Sequence, residues 1–70
     1  MKTLQKQLVK RGFNAQLSMD GIEVYDLIEN DYIQIELSED GYIYLATENF
    51  TMRVKNSLND IIDGLIDLMD

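Results

Sequence analysis

Apolar positions follow two different periods along the chain, and the changes of period divide it into three parts. In the first part Leu4 and Leu8 stand one helical turn apart, and Gly12 follows where a left-handed residue commonly closes a helix. The spacing predicts a short helix over residues 3–11. In the last part Leu58, Ile61, Ile62, Leu65, Ile66, Leu68 and Met69 recur at helical spacing, and Ser57 precedes them with Asp60 three residues on, close to a capping box. A C-terminal amphipathic helix is expected there. Its polar face is assigned Asn59, Asp60, Asp63, Gly64, Asp67 and Asp70, although aspartates in a last turn oppose the helix dipole.

Between the helices the period is two, and the turn dipeptides Asp20-Gly21, Asn30-Asp31, Asp40-Gly41 and Glu48-Asn49 arrive about every ten residues, the rhythm of consecutive hairpins. Four turns give five strands, placed near 13–19, 22–29, 32–38, 42–47 and 50–55. Cross-strand partners share a face, so the register is open to arithmetic. A two-residue loop at Asp20-Gly21 sets Met19 opposite Ile22, Leu17 opposite Val24 and Phe13 opposite Ile28. Two-residue turns at Asn30-Asp31 and Glu48-Asn49 set Ile28 opposite Ile33, Val24 opposite Leu37, Leu45 opposite Met52 and Ile43 opposite Val54. A three-residue loop of Glu39, Asp40 and Gly41 pairs Leu37 with Ile43 and Ile35 with Leu45.

One apolar face results, and both helices are expected to cover it. The expected fold is α+β: a short N-terminal helix, an antiparallel β-meander of four to five strands and a C-terminal amphipathic helix, with both helices on one sheet face. An LSxDG pattern occurs twice, from Leu17 and from Leu37, which suggests similar turns. A three-residue first loop would turn Tyr25 and Leu27 inward and Ile22, Val24 and Ile28 outward. The register that buries the three aliphatics is preferred, and it leaves Asp26 needing a bulge, a rim position or a basic neighbour.

Seventy residues leave room for one small domain, 1–70, and 46% hydrophobic against 27% charged residues is a globular balance. Without cysteine or histidine there are no disulfides, no thiolate zinc site, no cysteine nucleophile and no imidazole base. The four glycines stand singly at 12, 21, 41 and 64, so no glycine-rich phosphate loop is present. No catalytic, cofactor-binding or metal-binding residues are assigned, and a non-enzymatic protein is expected. No run approaches the roughly 18 apolar residues of a membrane span, so a cytoplasmic protein with no membrane partner is expected.

The net charge of -7 opposes binding to nucleic acid and anionic membranes through the whole-molecule field. Lys2, Lys6, Lys10 and Arg11 nevertheless cluster at the start, the middle is acidic, and Asp60, Asp63, Asp67 and Asp70 follow at the end. The lysines of the first helix are expected beside the aspartates of the second.

On the sheet face away from the helices the preferred register displays Tyr25, Leu27, Tyr32, Tyr42 and Tyr44 among Glu23, Gln34, Glu36 and Glu48. Tyrosine offers contact area at low entropic cost and a hydroxyl that tolerates water, although it is also simply a good strand residue. The candidate protein-binding residues are therefore Tyr25, Tyr32, Tyr42, Tyr44, Glu23, Glu36 and Glu48. An acidic chain short of Cys, His, Pro and Trp and rich in Ile, Asn, Asp and Tyr resembles small proteins of low-GC bacteria and their phages. The expectation is a small acidic inhibitor or regulator, of phage or mobile-element type and acting as a nucleic-acid mimic, that occupies a basic surface of a larger protein. The alternatives are a homo-oligomeric assembly subunit, with a homodimer as its simplest form, and a nucleic-acid binder through the basic N-terminal helix.

Overall fold

The alternating segments pair in sequence order into one open antiparallel sheet. The computed structural model describes residues 1–26 and 31–69. Its elements are α1 (Lys2–Lys10), β1 (Asn14–Leu17), β2 (Ile22–Asp26), β3 (Asp31–Leu37), β4 (Ile43–Ala46), β5 (Thr51–Val54) and α2 (Leu58–Met69). The strand order is β1-β2-β3-β4-β5, the expected meander.

Alternation places Ala15, Ile22, Val24, Ile33, Ile35, Ile43 and Leu45 on one face, where they form a single cluster with Leu8 of α1 and Ile61 and Leu65 of α2. Both helices cover this face, as the sequence led us to expect. A fully buried leucine or isoleucine contributes about 1.5–3 kcal/mol. By that measure α2, with two such side chains, anchors the layer more firmly than α1, with only Leu8.

Local chemistry fixes both helices. In α2 the Ser57 hydroxyl accepts the backbone N–H of Asp60 and donates to its carboxylate, which satisfies an exposed donor of the first turn. In α1 no side chain caps the start, but the end is closed by bonds from the N–H groups of Arg11 and Phe13 to the Leu8 carbonyl and from Gly12 to Val9. Gly12 takes the left-handed φ of 91° that the sequence suggested.

The β3–β4 and β4–β5 registers are as expected: Leu37 faces Ile43, Ile35 faces Leu45, Leu45 faces Met52 and Ile43 faces Val54. The first two hairpins differ. Leu17 pairs with Ile22, not Val24, so the loop is Met19-Asp20 and the Ser18 N–H donates to the Gly21 carbonyl. Met19 stands fully exposed at the tip, not opposite Ile22. Between β2 and β3, Val24 faces Ile33 and Ile22 faces Ile35, so Val24 does not meet Leu37. The shifts are by two and by four residues, and both keep every aliphatic on the expected face. Asp26 is half-buried at the rim, in the last pair of its strand, opposite Asp31. The pairings expected for Ile28, and the position of Leu27, lie outside the described residues.

The two LSxDG segments make different turns because their glycines do different work. Gly41 ends the three-residue loop at φ 87° in open space, supplying only a backbone conformation. Gly21 is buried, and a Cβ there would be driven into the backbone carbonyl of Ile35 on the neighbouring strand. Close approach of two backbones, added to its own positive φ of 156°, demands that glycine.

Gly64 corrects the expected polar face of α2. It is buried against the sheet, where an added Cβ would lie 2.6 Å from Leu45 Cδ1 and 3.2 Å from Val54 Cγ1. The missing side chain lets the helix settle on β4 and β5. Ile66, counted with the apolar stripe, is instead exposed.

The two glycines of the repeated pattern separate experimentally. Gly41→Ala should cost about 1–2 kcal/mol, the usual penalty of a left-handed alanine. Gly21→Ala should cost roughly 3 kcal/mol or more, because backbone must move. Urea unfolding of the two variants measures the difference, and equal losses would contradict the distinct roles.

Candidate protein-binding face

With both helices on one side, the other side of the sheet is left uncovered. Register places its residues in lateral rows across the strands. One row runs Asn14, Tyr25, Tyr32, the next Gln16, Glu23, Gln34, Ala46, Thr51, and the third Glu36, Tyr44, Arg53. Two aromatic ridges therefore flank a trough of polar and small side chains. At the β3–β4 end the trough opens into a shallow depression of about 290 Å³ lined by Asp31, Tyr32, Gln34, Ala46, Thr47 and Glu48.

The tyrosines are held by their neighbours. Tyr25 and Tyr32 sit directly opposite each other with ring centroids 5.6 Å apart and planes tilted by 42°. Such tilted aromatic pairs add about 0.5–1.5 kcal/mol beyond the area they bury. The Tyr25 hydroxyl donates to Glu23 Oε1 at 2.9 Å. Tyr44 donates to Asp40 Oδ2 at 3.4 Å, and the same carboxylate accepts the Tyr42 backbone N–H at 3.0 Å. The Arg53 guanidinium lies 4.4 Å from the centre of the Tyr42 ring, within range of a cation–π contact. Gln34 Nε2 donates to Ser18 Oγ at 3.2 Å and ties β3 to the first hairpin.

Among the described residues, two groups carry shifted acidities. The hydrogen bond to Glu23 holds the proton on Tyr25 and raises it above the ordinary tyrosine value, with partial burial and the charge of the same carboxylate adding to the effect. Asp40 is held below the ordinary carboxylate range, chiefly by the Tyr42 N–H. Desolvation opposes that shift, while the hydroxyls of Ser38 and Tyr44 and the charge of Arg53 assist it.

The sequence-derived set is largely brought together. Tyr25, Tyr32, Tyr44, Glu23 and Glu36 share the open face, with Glu36 opposite Tyr44. Tyr42 flanks β4 just before its first residue, and Glu48 stands in the β4–β5 turn at the rim of the depression. Asp40 and Arg53 were not in that set. Asp40 was read only as a turn former, and the contact of its carboxylate with two tyrosines depends on how the loop folds back. Arg53 was legible, since the expected β4–β5 register already sets it opposite Tyr44.

The basic first helix has a different character. Lys2, Lys6 and Lys10 are exposed, and the Lys row and the Asp60, Asp63, Asp67 row are not joined by an ion pair among the described residues. Arg11 donates to the Gln7 carbonyl at 3.2 Å, and Lys10 lies in the last turn, so both act on the negative end of their own helix. Among the described residues no helix is long and apolar enough to cross a membrane, and no cluster of three or more carboxylates is placed to hold a metal ion. Comparison with family models, with curated proteins and with solved structures finds no match.

The Tyr25–Glu23 contact predicts a titration. Tyr25 should ionise above the ordinary tyrosine value, and Glu23→Ala should bring it down toward that value of about 10. Because the folded value is the raised one, the stability it adds is complete below the unfolded value and is lost as pH rises through the folded one. Ultraviolet titration of tyrosinate in the two proteins reads this, and unchanged curves would remove the contact from the account.

Proposed function

We propose that the protein is a small non-enzymatic binding module whose open sheet face occupies a basic surface of a larger protein, inhibiting or regulating it. The observation that supports this reading is the arrangement of that face. Aromatic ridges carry the contact area, and carboxylates stand at fixed places between and beside them. Tyr25 and Tyr44 are half-buried and tethered through their hydroxyls, so little side-chain freedom is left to lose on association. The depression beside Tyr32, with Asp31 and Glu48 at its rim, has the chemistry to take a lysine or arginine side chain. The net charge of -7 steers a basic partner toward the molecule.

Placement of carboxylates where phosphates of a nucleic acid would sit is the route by which such a module competes for a basic site. Direct binding of nucleic acid is disfavoured, because stacking platforms for single strands sit in basic grooves, whereas this face is acidic. The N-terminal helix offers a weaker alternative, since Lys10 and Arg11 serve its own C-terminus.

The test is capture of a basic protein from lysate at low and high salt, by the wild type and by two variants whose fold has been checked. Tyr32→Ser with Tyr44→Ser should lose capture at both salt concentrations. Glu36→Gln with Glu48→Gln should weaken capture and flatten its salt dependence. Capture that ignores salt and both variants would refute the assignment of this face.

A further inference from the structure

The open meander ends in two edge strands, and they are not equivalent. In an antiparallel pair, residues alternate between exchanging both backbone bonds with their partner and pointing both groups away. The bond from Ser18 N–H to the Gly21 carbonyl fixes this phase for the first hairpin, so Phe13, Ala15 and Leu17 face outward from β1. Helix α1 closes most of that edge. The Phe13 N–H donates to the Leu8 carbonyl at 3.1 Å, and Gln5 Nε2 donates to the Ala15 carbonyl at 2.8 Å.

For β5 the phase is set by the bond from Thr47 N–H to the Phe50 carbonyl. Met52 and Val54 then bond β4, and the N–H and C=O groups of Thr51 and Arg53 point outward. Among the described residues nothing bonds these outward groups. Helix α2 lies over the face of β4 and β5, with Gly64 against Leu45, Val54 and Met52, and leaves the edge open.

The side chains along this edge are sorted by face. Arg53 and Lys55 are the only basic residues after Arg11; Thr51 and Arg53 lie on the open-face side, and Lys55 follows directly after the strand. Phe50, which is 54% exposed, lies with half-buried Met52 and Val54 on the other side. A strand laid along β5 thus meets apolar surface on one of its faces and, on the other, Thr51 and an Arg53 that would leave the Tyr42 ring to pair with it.

We propose that the outer edge of β5 is a strand-docking site for an extended segment of another protein, with carboxylates at alternate positions beside Thr51, Arg53 and Lys55 and apolar side chains between them. Backbone pairing with Thr51 and Arg53 supplies affinity, and the alternating charge fixes the register and face of the incoming strand. The net negative charge opposes an acidic segment, and the charge of Asp40 reaches Arg53, so a preference for carboxylates would rest on close contact with Arg53 and Lys55, which salt screens less than the distant field. A second copy is a poor occupant, because symmetric pairing of two β5 edges gathers the Arg53 and Lys55 of both copies along one seam. The site shares Thr51 and Arg53 with the border of the tyrosine face, where the Arg53 guanidinium stacks on Tyr42, but it does not rest on the function proposed for that face.

The probe is an acetylated, amidated peptide, Thr-Glu-Val-Glu-Val-Glu-Thr, compared with the same peptide carrying lysine for glutamate and with one N-methylated on the amides that face β5. Amide NMR on the intact protein should show exchange at Thr51 and Arg53 slowed by about tenfold or more with the glutamate peptide alone. Arg53→Gln with Lys55→Gln should abolish the preference for glutamate over lysine. Thr51→Pro should abolish binding while the sheet stays folded, since its N–H points outward and proline is tolerated on an edge strand. Equal protection by glutamate and lysine peptides, binding of the N-methylated peptide, or perturbation confined to the tyrosines would each overturn the proposal. So would concentration-dependent protection of Thr51 and Arg53 without peptide, which would mark self-pairing.

Discussion

The structure depends on one layer of aliphatic contact between a sheet and two helices. Among the described residues there are two helices, α1 and α2, and they suffice for one sheet face. Every hairpin must therefore hand the aliphatic residues on to the same side. The departures of the first two hairpins from the expected register are by even numbers of residues. An odd slip at β2 would have brought Tyr25 inward and Ile22 and Val24 outward, exchanging buried aliphatics for a phenol and its carboxylate partner. Turn geometry was free to vary, and face was not.

The same constraint creates the open face. Residues that alternate with the core must lie on the uncovered side, and in this sequence they include Tyr25, Tyr32 and Tyr44, with Arg53 and two glutamates beside them. The hydroxyls of Tyr25 and Tyr44 are bonded locally by Glu23 and Asp40, which makes a patterned surface from what is otherwise the back of a sheet. The meander also ends in two edges, one closed by α1 and one open at β5. Arg53 stands where the open face and the β5 edge meet, so the two surfaces adjoin at that residue.

The fold was legible because period and turn dipeptides agree. The β3–β4 and β4–β5 registers followed from Asp40-Gly41 and Glu48-Asn49, whose residues determine their own turns. The β1–β2 turn was misread for a tertiary reason: Gly21 is required by the Ile35 carbonyl on the next strand, which no local pattern reveals. Gly64 was assigned to a polar face for the same kind of reason, since a glycine has no hydropathy to announce that Leu45 lies beneath it. Five of the seven candidate site residues were grouped correctly by parity alone. The part played by Asp40 needed the folded loop, and the contact of Arg53 with the Tyr42 ring needed side-chain positions.

A cationic partner is expected to bind the tyrosine face and not the aspartate row of α2. Titration with an oligoarginine peptide, followed through the ring signals of the four tyrosines and the backbone signals of Asp63 and Asp67, tests it most directly. Tyr32 and Tyr44 should move first, added salt should suppress the movement, and Tyr42 should respond least because Arg53 already covers it. Movement at Asp63 and Asp67 with still tyrosines would contradict the account, and would reduce the open face to the solvated side of a sheet.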